Sequence, residues 1–104
     1  MTIGSNSEFV KYYVKVANTD CIKTCYYEDS ITVEDFIYEL QCIGANLLDV
    51  EYDMVEVVEA GQEIHGVNPE NAPKMETENI TMHEKYGSRL KKREMVFYLR
   101  KKQC

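Results

Sequence analysis

The chain of 104 residues is 44% hydrophobic and 29% charged, a composition typical of one small globular domain and not of a disordered chain. No apolar run approaches the roughly 18 residues that cross a bilayer, so we expect a cytoplasmic or nuclear protein without a membrane segment. The net charge of −6 argues against nucleic acid as the main partner, because affinity for phosphates comes chiefly from clustered Lys and Arg.

The first two predicted elements form a β-hairpin. Residues 1–8 are small and polar, and we expect them to be a flexible leader. Through Phe9–Ala17 apolar side chains alternate with lysines, the period-two pattern of a half-buried strand, and one face would consist of Val10, Tyr12, Val14 and Val16. Both faces carry tyrosines, so their orientation is left open. Residues 18–20 supply turn chemistry before a second alternating run, Ile22–Tyr27.

A capped amphipathic helix is predicted next. Thr32 suits the N-cap, Asp35 stands at the third helical position, and Ile31 with Phe36 occupies the positions of a hydrophobic staple. Apolar residues then recur every three or four positions and form one stripe: Val33, Phe36, Ile37, Leu40 and Ile43. Gly44 is predicted to end the helix. The next apolar residues, Leu47, Leu48 and Val50, could cap the core from a loop or extend the helix, and residues 45–52 are left as a connection.

A strand, a turn and a long loop follow in the prediction. Met54–Glu59 alternates as a strand does, and residues 60–62 read as a turn into a short strand at Glu63 and Ile64. Residues 66–79 contain both prolines and no apolar period, which predicts an exposed inserted loop.

The last predicted elements are a helical turn and a strand. Thr81 is expected to begin the turn and Gly87 to end it. Met95–Arg100 alternates, with Met95, Phe97 and Leu99 expected on the inward face. A domain over residues 9–100, with a charged tail at 101–104, follows from this order.

This order of elements is similar to that of the ubiquitin-like β-grasp fold. Val57–Ile64 resembles the strand, Ala-Gly turn and short strand of ubiquitin, and Thr81–Gly87 resembles the Thr-Leu-x-x-Tyr-Asn segment before its final strand. Met95–Arg100 resembles that final strand. The resemblance covers Phe9–Arg100 and implies an α+β fold: a mixed sheet of four to five strands with one helix packed across it, the first and last strands lying parallel at its centre.

The chain departs from ubiquitin at its end. Conjugated relatives carry a terminal Gly-Gly, whereas this sequence ends in Gln103 and Cys104. The resemblance therefore implies an interaction domain rather than a covalent modifier, and we expect no thioester with activating enzymes.

The resemblance also implies a binding surface. Val58 occupies the position of the exposed isoleucine on which most ubiquitin-binding proteins pack, and Tyr98 takes the neighbouring outward valine. Val96 and Arg100 share the outward face of the last strand, so these four residues are the predicted partner-binding site. In the alternative interpretation, alternating strands place single apolar groups outward without any role.

Catalytic and metal chemistry find little support in the sequence. The cysteines (Cys21, Cys25, Cys42 and Cys104) are expected to be reduced, and neither their spacing nor that of His65 and His83 matches a zinc or iron–sulfur site. A nucleophilic Cys25 assisted by His65 or His83 is the weakest alternative. We expect no enzyme activity, metal or cofactor.

The charge distribution bears on the class of function. Between Glu28 and Glu84 the sole Lys or Arg is Lys74, whereas many cluster from Lys85 to Lys102. An acidic body with a basic terminal stretch favours oriented docking on charged partners, although an ordinary solvated surface has the same pattern. The sequence thus predicts a non-catalytic adaptor that binds protein; the alternative is a small structural subunit of a larger assembly such as a viral particle. Its oligomeric state is left open.

Overall fold

The computed structural model describes residues 9–17, 22–61, 73–92 and 96–102. In chain order its strands and α-helices are β1 (Phe9–Val16), β2 (Ile22–Glu28), α1 (Val33–Leu48), β3 (Val55–Gly61), α2 (Met82–Tyr86) and β4 (Val96–Lys101). Short 3₁₀ helices precede β3 and follow α2, at Tyr52–Met54 and Gly87–Lys92.

In the described residues, the sheet has four strands in the order β2-β1-β4-β3. The hairpin β1–β2 and the pair β3–β4 are antiparallel, while β1 and β4 run parallel at the centre, where Val14 lies opposite Phe97. The buried residues of α1 pack against one face of this sheet. The predicted α+β arrangement, a mixed sheet with one helix across it, is confirmed.

An aromatic cluster fills the space between sheet and helix. Phe36 of α1 is fully buried, and its ring centroid lies 4.7 Å from that of Tyr12, 5.0 Å from that of Phe97 and 5.7 Å from that of Tyr27. Tyr12 and Phe97 come from the two central strands, so the alternation in β1 and β4 places their aromatic rings directly under the helix.

The helix α1 begins where the sequence predicts and ends later. The Thr32 hydroxyl accepts a hydrogen bond from the Asp35 N–H at 3.1 Å, which confirms the N-cap. The helix then continues through Gly44 to Leu48 and ends at Asp49 in the left-handed conformation, φ 57°. Gly44 is buried against the sheet, and a Cβ there would lie 2.7 Å from Val55 Cγ1. The glycine serves close packing of helix on sheet, so its prediction as a terminator is wrong.

The predicted helical turn is the short helix α2, which begins after the N-cap Thr81. The Thr81 hydroxyl accepts from the Glu84 N–H at 3.0 Å, and the Glu84 carboxylate accepts from the Thr81 N–H at 3.2 Å. Gly87 ends the helix with a φ of 58°, a conformation that favours glycine.

The predicted exposed loop is partly packed on the domain. Residues 66–72 lie outside the described residues, as do Glu63, Ile64 and Met95. Residues 73–79 are described, and within them the Met75 N–H donates to the Val57 carbonyl of β3 at 2.7 Å. Met75 and Glu78 are half-buried, whereas the other residues of this part of the loop are exposed: Pro73, Lys74, Glu76, Thr77 and Asn79. At the other limit, β4 includes Lys101, one residue beyond the predicted domain end.

The hydroxyl of Tyr12 is buried and has no hydrogen-bond partner among the described residues. Burial, and next the nearby Asp29, raise the pKa of Tyr12 well above its usual value. Because an unpaired buried polar group is destabilising, Tyr12→Phe is expected to raise the free energy of unfolding, measured by urea denaturation, by up to about 1 kcal/mol.

A matched control for Tyr12→Phe is Tyr86→Phe. The Tyr86 hydroxyl donates to Glu59 Oε1 at 2.7 Å, so this change is expected to lower the free energy of unfolding by about 1 kcal/mol. Equal losses in the two variants would contradict an unsatisfied hydroxyl at Tyr12.

Candidate protein interface

The face of the sheet turned away from α1 is here called the outer face. The strand registers divide it into two halves. Its β3–β4 half carries Val58 opposite Tyr98 and Glu56 opposite Arg100. Its β1–β2 half carries two rows of side chains, Phe9, Lys11, Tyr13 and Lys15 on β1 and Ile22, Thr24, Tyr26 and Glu28 on β2.

The predicted binding residues all lie in the β3–β4 half, but they are not exposed. Val58, Val96 and Tyr98 form one apolar cluster with exposed fractions of 0%, 6% and 3%, and Tyr13 packs against it. The Arg100 Nε lies 3.0 Å from Glu56 Oε1, and the Arg100 side chain is 11% exposed. The prediction of an exposed patch at these four residues is therefore wrong. Strand alternation identified the face correctly but does not tell whether that face is covered.

The β1–β2 half, in contrast, exposes large apolar side chains. Phe9 is 70% exposed, Tyr26 58% and Ile22 53%. Tyr26 lies opposite Lys11 and Ile22 opposite Lys15, so each stands beside a lysine on the neighbouring strand. An antiparallel hairpin normally turns polar groups to solvent. Apolar residues at these outward positions are the signal from which the sequence could have identified this surface.

Two further surfaces lie around α1. A groove of about 430 Å³ runs between β2 and α1, with Cys25, Cys42, Ile43 and Leu47 among its lining residues. On the exposed side of the helix, the rings of Tyr38 and Tyr52 meet edge to face with centroids 5.4 Å apart, and each tyrosine is about half exposed. Both tyrosines belong to the segment between Lys23 and Lys74, which contains no Lys or Arg.

The chemistry available to the described cysteines is limited. Cys25 and Cys42 are free thiols. Burial raises the pKa of the Cys25 thiol, with Lys23 opposing the shift, so the thiol form that packs well is favoured over the nucleophilic thiolate. His83 Nδ1 lies 3.7 Å from Asp29 Oδ2. The other predicted histidine and two of the cysteines, His65, Cys21 and Cys104, lie outside the described residues.

In the described part of the chain, no three His, Cys, Asp or Glu side chains are grouped as metal ligands would be. None of the helices described has the length and apolar character needed to cross a bilayer.

Comparison with known proteins shows the fold. No family model and no curated protein matches the chain. Among solved structures, it is similar to the C-terminal ubiquitin-like domain of mouse tubulin-specific chaperone e, with a TM-score of 0.62 and 14% sequence identity. The match covers 97% of this chain and 94% of that one. A likeness of this extent at low identity shows that the chain has a ubiquitin-like fold.

Proposed function

We propose that this ubiquitin-like chain is a non-catalytic protein-interaction module, an adaptor that binds a protein partner through the β1–β2 half of its outer sheet face. The observation that carries the proposal is the exposure of Phe9, Ile22 and Tyr26 on two paired strands. Large apolar side chains gathered on one surface mark interaction sites far more often than scattered ones do.

The arrangement of these side chains supports binding of a folded or extended protein segment. Tyr and Phe bring a large contact area with few rotatable bonds, so little side-chain entropy is lost when they are covered. The register of β1 and β2 fixes their positions relative to one another. The proposed binding face is thus the sheet face predicted from the sequence. The proposed contact residues, however, lie in the exposed β1–β2 half and not in the covered β3–β4 half.

The proposal is tested by affinity capture with paired variants. Phe9→Ala with Tyr26→Ala removes two exposed aromatic rings from the β1–β2 half, and each truncation of a central anchor typically costs about 2 kcal/mol of binding free energy. We expect this double variant to lose the specific partner captured by the unaltered chain, with an unchanged unfolding midpoint in urea.

The matched control is Tyr38→Ala with Tyr52→Ala, which removes two half-exposed rings from the α1 side. It is expected to retain capture. Loss of the partner in the control, together with retention in the Phe9 and Tyr26 variant, would move the interface to the helix and contradict the proposal.

A further inference from the structure

Two lysines accompany the exposed apolar side chains of the β1–β2 half. Lys11 and Lys15 lie on the outer face beside Tyr26 and Ile22 of the neighbouring strand. The Lys11 Nζ lies 5.3 Å from the centroid of the Tyr13 ring. The aromatic ring favours the ammonium group at this place by cation–π attraction, so the charge is held on the face itself.

These two lysines differ from three paired cations elsewhere in the described structure. Lys85 pairs with Glu78, Arg89 Nη2 lies 3.5 Å from Glu59 Oε2, and Arg100 pairs with Glu56. Among the described residues, neither Lys11 nor Lys15 forms an ion pair with a carboxylate. Of the eight outward positions described on β1 and β2, Glu28 alone is acidic, and it lies at the far end opposite Phe9. The surface is therefore apolar and positively charged within a chain of net charge −6.

We infer that the partner presents an acidic segment with apolar anchors to this surface; the inference rests on the proposed function, because it names the partner class for the same site. Carboxylates of such a segment would meet Lys11 and Lys15 while its apolar side chains cover Ile22 and Tyr26. A nucleic acid fits less well. Its phosphates would be repelled by the acidic segment between Lys23 and Lys74, which contains no Lys or Arg.

The test is fluorescence anisotropy of the full chain with two short labelled peptides that differ only in charge. One alternates glutamate with leucine, and the other alternates lysine with leucine. At low ionic strength we expect the glutamate peptide to bind roughly tenfold more tightly, since each exposed ion pair contributes a factor of up to about five. The preference is expected to disappear at about 1 M salt, where the Debye length is about 3 Å.

Charge reversal supplies the matched variants. Lys11→Glu with Lys15→Glu is expected to weaken binding of the glutamate peptide roughly tenfold or more. Lys101→Glu with Lys102→Glu changes the net charge equally, at exposed positions outside the surface. This control is expected to change the affinity for the glutamate peptide little. Lys11→Gln with Lys15→Gln, which introduces no new charge, is expected to give an intermediate loss.

Several results would overturn the inference. It would be overturned if the lysine peptide bound as tightly as the glutamate peptide, or if the two charge reversals had equal effects. Tighter binding of an oligothymidylate than of the glutamate peptide would also overturn it. Affinity capture separates this failure from that of the proposed function. Suppose that Lys11→Glu with Lys15→Glu retains the partner while Phe9→Ala with Tyr26→Ala loses it. The proposed interface is then supported, and the inference that the partner segment is acidic is wrong. If both variants retain the partner, the interface itself is wrong.

Discussion

Phe36→Ala is expected to lower the free energy of unfolding by about 3 to 5 kcal/mol, as large-to-small changes at packed aromatic positions do. Phe36 is fully buried, and its ring lies within 5.0 Å of those of Tyr12 and Phe97. The substitution opens a cavity between the helix and both central strands. Surrounding side chains are held by the sheet, so we expect little collapse into that space.

Urea denaturation measures this loss. Phe9→Ala is the matched control, because Phe9 is 70% exposed and its truncation should change stability by no more than about 0.5 kcal/mol. If Phe36→Ala leaves too little folded protein for a baseline, Phe36→Leu, with an expected loss of about 1 kcal/mol, keeps the comparison measurable. Similar stabilities of the Phe36 and Phe9 variants would contradict the packing of α1 on the sheet.

Tyr98→Ala is expected to destabilise the fold by about 3 kcal/mol, since truncating a buried aromatic residue removes apolar contacts and leaves a cavity. Tyr98 is 3% exposed and belongs to the cluster with Val58 and Val96. This expectation replaces the one drawn from the resemblance, in which Tyr98 was an exposed residue of the partner-binding site.

Tyr26→Ala provides the control for Tyr98→Ala on the same face of the same sheet. Tyr26 is 58% exposed, so its truncation should change the unfolding free energy by no more than about 0.5 kcal/mol. Comparable losses for both tyrosines in urea titrations would show that the two halves of the outer face are equally covered, against the structure.

The sequence predicted the fold because its signals are local and agree with one another. The alternation in Phe9–Ala17 identified the inward row of β1. The pair Thr32 with Asp35 identified the start of α1, and Thr81 alone indicated the start of α2. The end of α1 was missed because Gly44 is a terminator by local preference only. Its contact with Val55 depends on the packing of the helix against the sheet, which no window of sequence contains.

The candidate site was only partly predictable. Period-two alternation assigned Val58 and Tyr98 to the outer face, but their burial depends on what covers that face, which alternation does not encode. Alternation also left the first-strand tyrosines ambiguous; the structure places Tyr12 in the core and Tyr13 with the outer cluster. Once that orientation is known, Phe9 and Tyr26 follow as outward residues of the hairpin.

Site-specific photocrosslinking tests the central claim most directly. A benzophenone side chain introduced at position 26 or at position 38 replaces a tyrosine of similar exposure, 58% for Tyr26 on the sheet and 49% for Tyr38 on the helix. In the cells from which the chain derives, the account predicts a discrete protein adduct from position 26 and little from position 38. The same discrete adduct from position 38, with none from position 26, would contradict binding through the β1–β2 half of the sheet.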